Sequence, residues 1–149
     1  MEGAGPEILR ANSLYHIYES NAEEGNVVAL RGLSVSILEG EAVAVVGPSG
    51  SGKSTLLKCL GALMKPSAGS VELAGRRVTR LTGPELVSLR QQTVSFIFQD
   101  SNLLPHLNAL NNVAQPLLHQ GELARPSRRK AQELLDRLGV GDRALGMPE

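Results

Sequence analysis

Gly47-Pro48-Ser49-Gly50-Ser51-Gly52-Lys53-Ser54-Thr55 is the stretch on which the reading of this chain turns. It fits G-x-x-x-x-G-K-[ST], with a further Thr behind it. Polyphosphate oxygens must be approached closely by several backbone N–H groups, and side chains would block that approach. Glycines at 47, 50 and 52 leave the amides bare and permit the backbone angles required. Lys53 can reach β- and γ-phosphates, and the Ser54 hydroxyl can ligate a magnesium ion bridging them. The flanks suit the motif. Ala42-Val43-Ala44-Val45-Val46 is continuously apolar, as a strand buried on both faces would be. Leu56 to Met64 reads as a buried helix stopping before Pro66. Strand, glycine loop and helix together open an α/β unit, and a helix N-terminus favours an anion. The expected ligand is ATP with magnesium.

Outward from the loop, the period changes. Ile8 to Ile17 and Val28 to Leu38 alternate apolar with polar residues, the pattern of half-buried antiparallel strands. Between them Glu19 to Asn26 is polar and reads as an exposed loop. On the other side, Ser70 to Leu73 and Arg76 to Val78 are expected as short strands around Ala74-Gly75. Thr82 and Glu85 have capping-box spacing, with Pro84 in the first turn, so a helix should run to about Gln91. Val94-Ser95-Phe96-Ile97-Phe98 is expected as another buried strand. A helix from about Asn108 to Leu118 should bend or end near Pro116. A last helix takes Ser127 as its cap and Ala131, Leu134, Leu135 and Leu138 as its apolar face, with Gly139 ending it.

The chain's 149 residues suffice for one ordinary domain. A formal net charge of zero points away from nucleic acid or an anionic membrane as a general partner. Aromatic residues amount to 3%, so aliphatic side chains must fill the core. Cys59 stands alone, which excludes an internal disulfide and suits a reducing compartment. Met1 to Glu7 offers neither a basic start nor an apolar run, so a signal peptide is not expected. No apolar run approaches the roughly 20 residues of a bilayer span. His16, His106 and His119 lack metal-ligand spacing, Cys59 reads as a core residue, and Arg125, Arg128, Arg129 and Lys130 as a solvated face.

The whole chain resembles the ATP-binding subunits of ABC transporters, most of all those serving lipoprotein release and macrolide export. Four stretches carry the resemblance: Leu30 to Ile37 leading through Gly40-Glu41; Gly47 to Leu57; Pro66-Ser67-Ala68-Gly69-Ser70-Val71; and Arg90 with Phe96-Ile97-Phe98-Gln99 and Asn102-Leu103-Leu104-Pro105. It implies an α/β P-loop NTPase core of ABC ATPase type, preceded by an antiparallel β subdomain. The antiparallel region would cover about 7–40, the P-loop core would start at about 41, and a helical subdomain would begin within about 100–149. Gln99 matches the glutamine that touches magnesium and the attacking water and relays nucleotide state to the membrane partner. Tyr18 matches the aromatic that stacks on adenine, a task suited to a flat ring with few rotamers; Tyr15 nearby is the alternative. Leu103, Leu104, Pro105 and Leu107 would line a groove for a short helix of the permease, or else pack on the neighbouring helical layer. The implied partners are a transmembrane permease and a second ATP-binding subunit, with no nucleic acid, at the cytoplasmic face of the inner membrane.

The chain departs from the family pattern in small ways at Asn111 (commonly Glu) and Ser95 (commonly Gly). The larger departure concerns motifs that the resemblance implies and the 149 residues do not contain. These are a Pro-x-x-Leu-Ser-Gly-Gly-Gln signature after the position of Pro148, an apolar strand ending in Asp-Glu, a D-loop and a switch histidine. The expectation is the N-terminal portion of a longer ATPase domain, which alone turns ATP over negligibly. The alternatives are a naturally short, non-hydrolysing ATP-binding or regulatory module, and another P-loop class such as a nucleotide kinase or GTPase.

Overall fold

Alternating apolar residues produce the two longest strands among the described residues, which in this computed structural model are 5–19 and 25–148. β1 (Glu7–Tyr18) and β2 (Val27–Leu38) pair antiparallel, with Glu7 opposite Leu38 and Tyr18 opposite Val27. Most of the expected loop between them, residues 20–24, lies outside the described residues. β3 (Ala68–Leu73) pairs antiparallel with the other edge of β1, and the two-residue β4 (Arg76–Arg77) follows, giving the order β2-β1-β3-β4. The expected second short strand is cut to those two residues, because Val78–Arg80 closes into a 3-10 turn. β1 is irregular between Ala11 and Leu14, where Ser13 has φ 47°. Gly69 answers that kink, since a Cβ there would lie 2.3 Å from the Ser13 carbonyl oxygen.

Behind the sheet runs α1 (Lys53–Leu60), which buries Thr55, Leu56, Cys59 and Leu60 and leaves Leu57 half exposed. Cys59 is a core residue, as expected, and its burial raises the thiol pKa above the ordinary value. The helix stops at Leu60, four residues before the expected Met64. Ala62 takes a left-handed angle (φ 59°), and the amides of Leu63 and Ala62 bond back to the carbonyls of Lys58 and Cys59, which is the Schellman arrangement. Glycine would be the usual residue at that left-handed position, yet Gly61 sits one residue earlier. A Cβ on Gly61 would lie 2.0 Å from the Phe96 ring. That residue is small to admit the ring.

α2 (Gly83–Thr93) starts as expected. Thr82 and Glu85 form the capping box, with Pro84 in the first turn. Leu89 is the buried residue of α2 and joins the core of Leu9, Leu14, Leu30, Leu56, Val71 and Val78.

The two expected buried strands are not formed. Residues 42–46 and 94–98 belong to no strand of the sheet among the described residues. Val46 is 86% and Ile97 101% exposed. A strand buried on both faces gets its ladder and both covers from other parts of a chain. β1 and β2 instead take their ladder from each other, across a short connection.

The chain divides into two units, Met1–Phe96 and Ile97–Glu149. The second is built on α3 (Ala109–His119) and α4 (Ala124–Arg137). Pro116 lies in the last turn of α3, which continues to His119. α4 starts three residues before the expected Ser127 cap. Ser127 is fully buried inside the helix, its hydroxyl donating to the Leu123 carbonyl at 2.9 Å. The buried stripe of α4 is Ser127, Ala131 and Leu135; Leu134 and Leu138, expected on the same apolar face, are exposed. Gly139 ends α4 at φ 73°, its amide bonding to the Asp136 carbonyl and that of Val140 to Leu135.

Candidate functional site

The loop from Gly47 to Gly52 leads into α1 through Gly52 at φ 87°, a left-handed position that favours glycine. The place of a Gly52 Cβ lies 2.4 Å from the Ala29 carbonyl oxygen. The loop therefore rests on the backbone of β2, and only glycine allows that approach. No side chain caps α1, so the first-turn amides of Lys53, Ser54 and Thr55 have no acceptor within the helix. They face a cavity of about 320 Å³ lined by Ser49 to Thr55, by Val27, Val28 and Ala29 of β2, and by Tyr18.

Lys53 folds over its own loop. Its ammonium donates to the carbonyls of Gly47 at 2.8 Å and Pro48 at 2.6 Å, and lies 3.3 Å from the Ser51 hydroxyl. A cation thus stands over the glycine turn, beside bare amides, and the arrangement is complementary to an oxyanion. Ser54 lines the same cavity with an exposed side chain. Gly47, Pro48, Ser49, Gly50, Ser51 and Gly52 form the loop, and Lys53, Ser54 and Thr55 form the first turn of α1 behind it.

The two tyrosines separate. Tyr15 lies across Gly32 of β2, its hydroxyl 2.8 Å from where a Gly32 Cβ would stand. Tyr18 reaches the cavity, its hydroxyl 3.1 Å from Thr55 Oγ1 and 3.7 Å from Met64 Sδ. His16 packs edge-on against the Tyr18 ring, with centroids 4.7 Å apart. Composition and spacing carried no sign of the Tyr18–Thr55 bond, which joins residues 37 apart.

Gln99 belongs to the second unit, exposed on the segment ahead of α3. Leu103, Leu104 and Pro105 follow it and are exposed; Leu107 is half-buried. Asn112 holds this stretch in shape. Its carboxamide accepts from the Leu104 amide at 2.7 Å and donates to the carbonyls of Leu107 at 2.8 Å and Leu104 at 3.1 Å. Nothing in the sequence singles out Asn112, because an Asn inside a helix announces no loop contact. The basic run on α4 is a solvated face with local partners: Lys130 pairs with Glu122 at 2.7 Å, Arg129 lies 3.7 Å from Glu133, and Arg128 donates to Asn111 at 3.1 Å. Among the described residues no cluster of three or more His, Cys, Asp or Glu could hold a metal ion, and no helix is long and apolar enough to cross a membrane.

Residues 30–147 match the family described as ABC transporter. An uncharacterized ABC transporter ATP-binding protein of Thermotoga maritima is 43% identical over 137 residues, 92% of this chain and 58% of that protein. The macrolide export ATP-binding/permease protein MacB of Rhodopseudomonas palustris strain BisB18 is 50% identical over 125 residues, 84% of this chain and 19% of that protein. Among solved structures, the ATP-binding cassette MJ0796, in a dimeric post-hydrolysis state bound to ADP and Pi, matches with a TM-score of 0.85 at 33% identity. That match covers 94% of this chain and 61% of the MJ0796 chain. A second dimeric MJ0796 structure matches with a TM-score of 0.82 at 34% identity. The fold is thus the α/β P-loop NTPase fold of ABC-ATPase type with an N-terminal antiparallel sheet, and the chain spans about three-fifths of the Thermotoga relative's length.

Proposed function

This chain belongs to the ABC transporter family, and from that premise we propose that it binds Mg-ATP and, in the complete protein, couples ATP hydrolysis to a transmembrane permease. One observation carries the reading: an uncapped helix start and a lysine-covered glycine turn open onto a single cavity with Tyr18 on its wall. Phosphate oxygens would take the amides of the loop and first turn. Lys53 would exchange its bonds to Gly47 and Pro48 for the β- and γ-phosphates, and Tyr18 would carry the adenine. Magnesium, when bound, neutralises charge on the phosphates. Ser54 would supply a hydroxyl ligand to it, and Gln99 would offer a further polar ligand. Gln99 also orients the attacking water and passes the nucleotide state to the permease.

A second ATP-binding subunit completes the site; the dimeric MJ0796 cassettes support this. The permease is supported by the name of MacB, and it would hold the protein at the cytoplasmic face of the inner membrane. Phosphoryl transfer depends on positioning and electrostatics. The 149 residues hold no Leu-Ser-Gly-Gly signature and no apolar strand ending in Asp-Glu, so turnover by this chain alone is expected to be negligible. The test is ATP titration with magnesium beside a steady-state phosphate-release assay. Lys53→Ala should weaken ATP about ten- to a hundredfold, the range for a charged hydrogen-bonding group. Undiminished ATP binding by that variant would overturn the proposal.

A further inference from the structure

Tyr18 ends β1 and Thr55 lies in the first turn of α1, and their hydroxyls are 3.1 Å apart. Thr55 is only 7% exposed, so the core fixes it and the ring must conform to it. Two further contacts hold the ring, Met64 Sδ at 3.7 Å from the phenol oxygen and the edge-on imidazole of His16. The His16 contact is one of packing, since its buried Nδ1 has no hydrogen-bond partner. Contacts from β1, α1 and the turn after α1 therefore orient Tyr18, and 40% of the residue remains exposed.

We propose that Thr55 is a positioning residue for base recognition: its hydroxyl holds the Tyr18 ring at a set angle to the phosphate loop, so that both halves of the cavity are preorganised as one unit. The ligand class this favours carries a flat aromatic base and a phosphate chain together. The proposal rests on the reading of Tyr18 as the base-carrying ring. A side chain already ordered before binding saves the ligand the cost of ordering it. That saving exists only for a ligand that touches the ring. A bare polyphosphate gains nothing from it.

The experiment is an NMR titration of the chain with Mg-ATP and with magnesium tripolyphosphate, which reads dissociation constants into the millimolar range. Tyr18→Phe keeps the ring and removes the bond; Thr55→Val removes the bond from the other side, and Thr55→Ser restores the hydroxyl. Tyr18→Phe and Thr55→Val should each lower the preference for ATP over tripolyphosphate about three- to tenfold, the range for one neutral hydrogen bond, and Thr55→Ser should keep it. Tyr18→Ala should remove the preference. If Tyr18→Ala removes it while Tyr18→Phe leaves it unchanged or raises it, the role of Thr55 is overturned and the base platform stands. If Tyr18→Ala leaves the preference intact, the base platform itself fails and the Thr55 proposal with it.

Discussion

Helices α1 and α3 begin in opposite ways. At α3 every early donor has an acceptor nearby. Asn108 caps the helix by accepting from the Asn111 amide at 3.0 Å, and the amides of Ala109 and Leu110 reach the carbonyls of Gly146 and Ala144 at 2.9 and 2.8 Å. At α1 the cap position is a left-handed glycine with no side chain to offer, and a cavity lies in front of it. Helix starts cost stability when their donors go unmet. The fold meets that cost at α3 with the Asn108 side chain and two backbone carbonyls, whereas at α1 a cavity lies before the donors with a lysine alongside. The open start of α1 is the one that suits the proposed phosphate site.

The sharpest way to break this contrast is Gly52→Ala. Its Cβ would meet the Ala29 carbonyl at 2.4 Å, at a φ of 87° that alanine resists. Stability should fall by about 1–3 kcal/mol, and ATP binding should weaken more than about tenfold as the amides turn away. Thermal unfolding read beside an ATP titration would show both losses; an unchanged titration would mean that the open start is not the anion site. A smaller effect is expected at the closed end. Asn108→Ala should cost about 1 kcal/mol, as lost caps do, and leave ATP affinity alone.

The smallest effect belongs to α2, which is closed by a charged group. Glu85 accepts from the Thr82 amide and hydroxyl, both at 2.8 Å, and these bonds lower its pKa below the ordinary value, the amide bond being the larger cause. A lowered carboxylate pKa stabilises the fold above the unfolded-state value, and the gain is lost as pH falls through the folded-state value. The difference in melting temperature between the parent chain and Glu85→Ala should thus be present at neutral pH and fade below about pH 4. A difference that persists into stronger acid would show that the carboxylate is not the cap.

These starts were not equally legible in sequence. The capping box of Thr82 and Glu85 and the glycine loop are local patterns whose partners sit within a few residues, so spacing alone reveals them. Asn108 could be placed at its helix, but the carbonyls of Ala144 and Gly146 come from more than thirty residues on. Ser127 misled for a related reason. A serine before an apolar run reads as a cap, yet here it is fully buried and bonded to Leu123, so packing overrode local preference. The segments at 42–46 and 94–98 misled most, because an apolar run states how much burial it needs and says nothing of what supplies it.

The sequence by itself determined the glycine turn, the lysine over it, the β1–β2 pairing and the helix that follows the loop. Each depends on neighbours in the chain or on a period that only one structure satisfies. Tertiary structure alone decided which tyrosine reaches the cavity, that its hydroxyl meets Thr55, that Gly52 rests on the Ala29 carbonyl, and that Gly61 is small for the sake of Phe96. Those are contacts between residues 23 to 37 positions apart. A bond or a collision at that range depends on where folding brings two backbones, and no spacing along the chain records it.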